Sequence, residues 1–350
     1  MSDNRITTIV GARPQFVKAA AVSRVLRAEG VAERLIHTGQ HHDRAMSDAF
    51  FTELEISPPA LNLGIANLSH GAMTARMLEA LEAALIADRP RAVLVYGDTN
   101  STLAGALASA KLGIPVVHVE AGMRSGRRDV PEEINRIVVD HLSALLLTSS
   151  EHARRNLERE GLVERARHVG DVMYDVTLFA GARALEVSGI VERLGLRSGG
   201  FQVLTLHRAE NVDDPARLAQ LLRYVADNAD GRRIVFPVHP RTAERLHSSD
   251  HALGEVTLTE PLGYFDFHRL LAECASVLTD SGGVQKEAYF HRKPCVTLRD
   301  ETEWVETIDA GWNRLWTSNS YVRPRRDIDD YGDGHAAERV AAAICDLVKS

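Results

Sequence analysis

Cysteine is scarce: Cys274, Cys295 and Cys345 are too few, and odd in number, for a disulfide framework, which fits a reducing compartment. Long apolar runs are missing too. None approaches the ~18 residues of a membrane span, and the N-terminal residues lead straight into a strand-like segment, so no secretory leader is expected. The expectation is a cytoplasmic protein with no membrane partner. Positive charge is not in excess either, since 41 Lys and Arg against 48 Asp and Glu give a formal net charge of -7. That balance speaks against nucleic acid as a partner while leaving room for a local basic pocket and an anionic small molecule. Solenoid repeats and low-complexity tracts are absent from the sequence. What remains is 45% apolar and 25% charged residues over 350 positions, an ordinary soluble composition long enough for two domains.

Short apolar runs alternate with helical patterns along the whole chain. Ile6 to Val10, Leu35 to Thr38, Ala92 to Tyr96, Pro115 to Val119 and Ala144 to Thr148 read as strands of one series. Gln202 to Leu206, Arg233 to Val238, Val256 to Thr259, Val277 to Thr279 and Cys295 to Leu298 read as strands of a second. Helices are expected near residues 43–54, 69–87, 103–112 (capped by Ser101 or Thr102), 132–142, 215–228, 241–246, 266–274 and 283–290, with another opened by Ser149 and Ser150. The fold class is therefore α/β, with two Rossmann-like doubly wound domains facing a cleft. The division falls at residues 1–170 and 171–335, and an amphipathic last helix from Ala336 can pack back on the first domain.

In such sheets ligands bind beyond the carboxyl ends of the strands, and the polar residues gather there. Gly11-Ala-Arg-Pro opens a helix, so Arg13 and Lys18 fall near a helix N-terminus that favours phosphate or carboxylate; they also fit solvated surface charge. Asp98 follows the third strand and Glu120 the fourth, while Glu132 and Glu133 come just after Pro131 in a first helical turn. Taken singly, Asp98 fits an Asx turn or a cap, and the two glutamates fit a favourable helix dipole with Arg136 one turn along. Taken together with Arg124, Arg127, Arg128 and Arg136, these acids suggest proton transfer on an anionic ligand. In the second series His207 leaves a strand end as a donor or an acid/base. The turn Asp280-Ser-Gly-Gly starts a helix whose N–H groups can cradle a diphosphate or simply make a tight turn, and Glu287 one turn in can take a ribose diol. His37, His41 and His42 lack the further convergent ligands that a zinc site needs, so no metal is expected.

The motifs Gly11-Ala-Arg-Pro-Gln-Phe-Val-Lys, Thr38-Gly-Gln-His, Gly97-Asp-Thr-Asn-Ser-Thr, His118-Val-Glu-Ala-Gly, Pro131-Glu-Glu-Ile-Asn-Arg, His207-Arg-Ala-Glu-Asn and Thr279-Asp-Ser-Gly-Gly-Val-Gln-Lys-Glu resemble, in order, those of the non-hydrolysing UDP-N-acetylglucosamine 2-epimerases. The resemblance covers residue 6 to about 315. It implies a glycosyltransferase-B-like fold, usually a homodimer, a UDP-sugar substrate, and action without metal, nicotinamide or other cofactor. It implies that Asp98, Glu120 and Glu132 are acid/base carboxylates and His207 a site histidine. Arg13, Lys18, Arg136, Arg208, Leu262, Phe267, Ser281, Gly282, Gly283 and Glu287 are by the same resemblance the substrate and UDP contacts, with Phe267 beside the uracil.

The implied chemistry is removal of the C2 proton as UDP leaves C1, giving 2-acetamidoglucal, then re-addition of UDP with a proton delivered to the opposite face. Two faces call for two separately placed acid/base groups. A glycosyltransferase of the same architecture would not need them, and a binding protein would need none. The chain departs from the family pattern in four places. Trp304 stands where an arginine is expected to touch substrate, Ala209 replaces an arginine of the His207 motif, Ser69-His-Gly replaces a region that some members use for allosteric binding of a second UDP-N-acetylglucosamine, and the link between Glu120 and Glu132 is shorter than in the enterobacterial type. These features resemble the branch containing the UDP-2,3-diacetamido-2,3-dideoxyglucuronate 2-epimerases, and Arg127 and Arg128 suit a sugar carboxylate.

Overall fold

A computed structural model describes residues 5–40, 53–54, 56–238, 246 and 256–349. His41 and His42 lie outside the described residues, as do most of the segments expected to be helical at 43–54 and 241–246. Contacts divide the chain into two units, Met1–Val176 with Asp329–Ser350, and Thr177–Ile328.

The first unit is built on seven parallel strands: β1 (Ile6–Val10), β2 (Glu33–His37), β3 (Leu61–Asn62), β4 (Ala92–Tyr96), β5 (Val116–Val119), β6 (Leu145–Thr148) and β7 (Ala166–His168). Their order across the sheet is β3-β2-β1-β4-β5-β6-β7. Every residue of β1 and β4 is buried, because a sheet covered on both faces offers no solvent side for polar alternation. Helices α1 (Arg13–Ala28), α2 (His70–Ala87), α3 (Asn100–Lys111), α4 (Pro131–Leu142) and α5 (Glu151–Arg159) cover it. Ile9, Val93 and Val95 of the sheet share one core with Met77 and Leu81 of α2 and Ala104 and Ala108 of α3.

Helix α3 starts earlier than its pattern suggests, and its cap is Thr99 rather than Ser101 or Thr102. Thr99 is the last extended residue (φ -78°, ψ 169°), and its hydroxyl accepts the Thr102 N–H at 3.3 Å. A cap must precede the first helical residue, so the earlier threonine takes the role.

Helix α6 (Val172–Val187) contains the division between the units. The second unit carries six parallel strands: β8 (Phe201–Thr205), β9 (Arg233–Pro237), β10 (Val256–Thr259), β11 (Ser276–Thr279), β12 (Cys295–Thr297) and β13 (Asn313–Leu315), ordered β10-β9-β8-β11-β12-β13. Its helices are α7 (Ile190–Arg193), α8 (Ala209–Val212), α9 (Pro215–Asp227), α10 (Tyr264–Glu273), α11 (Gly282–Phe290) and α12 (Val305–Asp309). One apolar cluster joins Leu204 and Phe236 to α9, and another joins Val203 and Val277 to α10 and α11. The last helix, α13 (Ala336–Lys349), belongs to the first unit and packs on α1. The Asp175 carboxylate accepts its opening N–H groups, Ala336 at 3.1 Å and Ala337 at 2.7 Å.

Both sheets reverse direction beside their first strand, between β1 and β4 and between β8 and β11. Loops leaving the carboxyl ends of strands at such a reversal diverge and open a crevice. Among the described residues no helix is long and apolar enough to cross a membrane.

Candidate active site

At the reversal of the first sheet, α1 opens with Arg13, half-buried, followed by Pro14. One turn in, the Gln15 amide ties three segments together. Its Oε1 accepts the N–H groups of Gly11 (2.8 Å) and Ala12 (3.1 Å), while Nε2 donates to the Tyr96 carbonyl (2.7 Å) and Thr102 Oγ1 (2.8 Å). Lys18, on the same helix, forms an ion pair with Glu120. Both side chains are nearly enclosed, and a methyl group at Gly97 would lie 3.5 Å from Glu120 Oε2 and 3.7 Å from Lys18 Nζ. The pair therefore sits against the turn that carries Asp98.

Glu120 occupies the left-handed region, with φ +68°, directly after β5. A non-glycine residue there costs of order 1–3 kcal/mol and persists only where its surroundings impose it. Two residues on, Gly122 (φ +80°) passes so close to α5 that a methyl group would lie 2.4 Å from the Ala153 carbonyl oxygen. The buried Asp140 carboxylate fixes this bend, accepting from Gly122 N–H (3.0 Å) and Arg124 Nη1 (2.8 Å) and facing His118 Nδ1 (2.7 Å). Burial alone would raise the Asp140 carboxyl, but the His118 hydrogen bond and charge, with Arg124, hold it below the usual range. His118 Nε2 lies 2.8 Å from the Gly97 carbonyl, so the same ring braces the Asp98 turn.

Asp98 is neither an Asx turn nor a cap: its carboxylate accepts from Arg136, with Nε at 2.9 Å. Arg136 reaches Glu133 as well, at 3.1 Å. The neighbouring glutamates of the first α4 turn part company. Glu132 is exposed, whereas Glu133 is buried and accepts the N–H groups of Ser125 (2.9 Å) and Gly126 (3.0 Å). Burial pushes the Glu133 carboxyl up, and the Ser125 and Gly126 N–H groups and Arg136 more than offset it, leaving it lowered. Glu133 thus anchors the arginine-rich link. Glu133→Gln turns an amide NH2 toward those N–H donors and is expected to cost about 1–3 kcal/mol in urea unfolding; an unchanged midpoint would mean that the anchor is dispensable.

At the reversal of the second sheet the organiser is Asp280, fully buried at the end of β11. It accepts the backbone N–H groups of His207 (3.1 Å) and Arg208 (3.0 Å) and Asn211 Nδ2 (3.2 Å), and it pairs with His207 Nδ1 at 3.0 Å. The His207 side chain is 59% exposed. A proton on Nδ1 facing the carboxylate leaves Nε2 as the outward acceptor. Arg208 Nε donates to the Asp280 carbonyl at 3.0 Å. Ser281 caps α11, its hydroxyl accepting from Val284 N–H at 3.5 Å, and Gly282 and Gly283 form the first turn. Leu262, Phe267 and Val284 pack on one apolar cluster beside it. Glu287 is buried, with Oε1 at 3.9 Å from His268 Nε2.

The first unit therefore joins Lys18 to Glu120 and Asp98 to Arg136, and the second gathers His207, Arg208, Ser281, Gly282 and Gly283 around Asp280. Gln15, His118, Asp140 and Asp280 were not singled out from the sequence. Three of them lie inside the quoted motifs, beside residues that were. Asp140 carries no motif signal, being one polar residue on a helix. Among the described residues no group of three His, Cys, Asp or Glu side chains is placed to hold a metal ion.

Comparison with known proteins fits this geometry. The family model for UDP-N-acetylglucosamine 2-epimerase matches residues 24–345. A UDP-N-acetylglucosamine 2-epimerase homolog of Methanococcus maripaludis is 44% identical over 98% of this chain and all of its own length. The UDP-2,3-diacetamido-2,3-dideoxy-D-glucuronate 2-epimerase of Pseudomonas aeruginosa is 43% identical over the same shares. The crystal structure of the Methanocaldococcus jannaschii UDP-GlcNAc 2-epimerase in complex with UDP-GlcNAc and UDP superposes with a TM-score of 0.88 at 36% identity, covering 97% of this chain and 99% of that one. With 98% of the chain matched to such relatives and a doubly wound unit at each end of the motif series, the protein belongs to the UDP-N-acetylglucosamine 2-epimerase family.

Proposed function

We propose that the protein interconverts UDP-N-acetylglucosamine and UDP-N-acetylmannosamine. The observation that carries this reading is Glu120, held in a strained backbone conformation against Lys18 beside the Asp98 turn. A carboxylate takes the C2 proton, the C–H electrons form the C1=C2 bond of 2-acetamidoglucal, and the C1–O bond breaks with its pair on UDP. UDP oxygen then adds back at C1 while a second acid delivers a proton to the other face of C2. Glu120, Asp98 and Glu132 are the candidate carriers. His207 is the candidate acid/base of the second unit. In the first unit Arg13, Lys18 and Arg136 are the candidate substrate contacts; in the second, Arg208 and the first turn of α11 supply positive potential for the diphosphate. Leu262 and Phe267 offer apolar surface to the base, and Glu287 a carboxylate to the ribose.

A second substrate, UDP-2,3-diacetamido-2,3-dideoxyglucuronate, is favoured by one observation. Arg127 and Arg128 are exposed on the link anchored by Glu133, where a sugar carboxylate would be an additional partner. Incubation with each nucleotide sugar in deuterated water, followed by proton NMR at C2, separates the readings. Deuterium at C2 with a mannosamine signal is expected from UDP-N-acetylglucosamine. Exchange with the glucuronate alone would transfer the reading to that substrate, and exchange with neither would remove it. A cytoplasmic homodimer completes the proposal; light scattering at the monomer mass would remove the dimer.

A further inference from the structure

The turn after β12 packs residues 302–304 against the first turn of α11, and a hydrogen-bond relay fixes it there. Gln285 Oε1 accepts from Thr302 Oγ1 (2.7 Å) and Thr297 Oγ1 (3.1 Å), and Gln285 Nε2 donates to the Ser281 carbonyl (3.2 Å). Trp304 N–H in turn donates to Thr302 Oγ1 at 3.1 Å. The contact at the helix start is close. A methyl group at Gly282 would lie 2.8 Å from Glu303 Oε1 and 3.6 Å from Trp304 Nε1. The indole edge thus stands beside the first residue of a nine-residue helix.

Trp304 is only 6% exposed, and its Nε1–H meets no hydrogen-bond partner among the described residues. A buried indole N–H ordinarily finds an acceptor, so one without a partner beside a helix N-terminus is waiting for a ligand oxygen. Lys286 Nζ lies 3.8 Å from the centroid of the same ring. A cation over the π-face draws electron density toward itself and leaves the N–H more positive. The Glu303 carboxylate beside the same turn is paired with Arg299 at 2.8 Å, which offsets its negative charge there.

We propose that Trp304 Nε1–H donates a hydrogen bond to a diphosphate oxygen of the bound nucleotide, next to the first-turn N–H groups of α11. The inference rests on reading that turn as the nucleotide-diphosphate grip. Trp304 then fixes the leaving group through a neutral donor, where the family resemblance leads one to expect an arginine.

Calorimetric titration of wild type and Trp304→Phe with UDP and with uridine tests it. Phenylalanine keeps an aromatic ring over Lys286 and removes the donor. UDP affinity is expected to fall about tenfold or more, with uridine affinity unchanged. Equal UDP affinity in the two proteins, or equal losses for UDP and uridine, overturns the proposal, the latter because it reports ring packing alone. A second measurement needs no Trp304 variant. The chain has three tryptophans, Trp304, Trp312 and Trp316. In nitrogen-15-labelled wild type, the Trp304 indole resonance, assigned by subtraction with Trp312→Phe and Trp316→Phe, should move downfield with UDP and stay in place with uridine. A resonance unmoved by saturating UDP sinks the proposal. Wild type that fails to bind UDP at all refutes the nucleotide reading itself.

Discussion

Glu120→Gln is expected to lower kcat by about 10²–10⁴-fold while leaving the affinity for UDP unchanged or tighter. Glutamine is nearly isosteric, so the bend at φ +68° and the buried site are retained; what is lost is a group able to accept a proton. Lys18, no longer held by a carboxylate, is free to serve a diphosphate oxygen. Glu132→Gln is expected to lower kcat similarly if Glu132 serves the other face of C2. The two variants can be told apart by partial reactions. Net epimerisation falls in both directions together, because the equilibrium between the sugars is a property of the substrates. Elimination and re-addition on one face can nevertheless continue. Each variant should therefore wash deuterium into C2 from one epimer, with retention, and not from the other. Unchanged turnover in Glu120→Gln would reduce that residue to an ion-pair partner for Lys18. Unchanged turnover in Glu132→Gln would leave it a first-turn acid on an exposed helix end.

The interior of each sheet was legible because strands buried on both faces read as unbroken apolar runs, as Ala92–Tyr96 does. The edges were not. β3 (Leu61–Asn62), β7 (Ala166–His168) and β13 (Asn313–Leu315) are two or three residues long, stand at sheet edges, and mix polar with apolar residues. No periodicity fits in so few positions, and β10 was found only because Val256–Thr259 is longer and β-branched. The site divides in the same way. Strand-end positions for Asp98, Glu120 and His207 followed from where apolar runs stop. Which of Glu132 and Glu133 turns inward did not, since adjacent helical positions differ by ~100° and only the path of residues 125–126 decides which one meets N–H donors. Gln15 was equally opaque, because its partners are backbone groups of residues 11, 12 and 96 and the Thr102 hydroxyl, which come together only in the fold. Trp304 was visible as a departure, but the orphaned indole N–H was not.

Asp280→Asn is expected to lower both stability and turnover, through one carboxylate. In the wild type that group accepts from two backbone N–H groups and Asn211 while facing His207. An asparagine of the same shape must turn an NH2 toward at least one of those donors, at a cost of about 2–4 kcal/mol in chemical unfolding at neutral pH. The sign of the pH dependence follows from the direction of the shift. Burial would raise the Asp280 carboxyl, but the His207 hydrogen bond and charge, with Arg208 N–H and Asn211, hold it below its ordinary value. A carboxyl depressed in the folded state contributes stability above its unfolded value of about 3.9 and loses it as pH falls through the folded one. The stability gap between wild type and variant should therefore be constant near neutrality and close below about pH 4; a gap that stays constant through that range would mean that Asp280 acts by shape alone. Turnover reads the second role. With the carboxylate gone, nothing requires the Nδ1 proton that leaves His207 Nε2 as the outward acceptor. kcat is then expected to fall by about 10²-fold with KM changing only a few-fold. A variant that loses stability yet keeps its kcat would confine Asp280 to holding the turn and would remove His207 from the proton transfers.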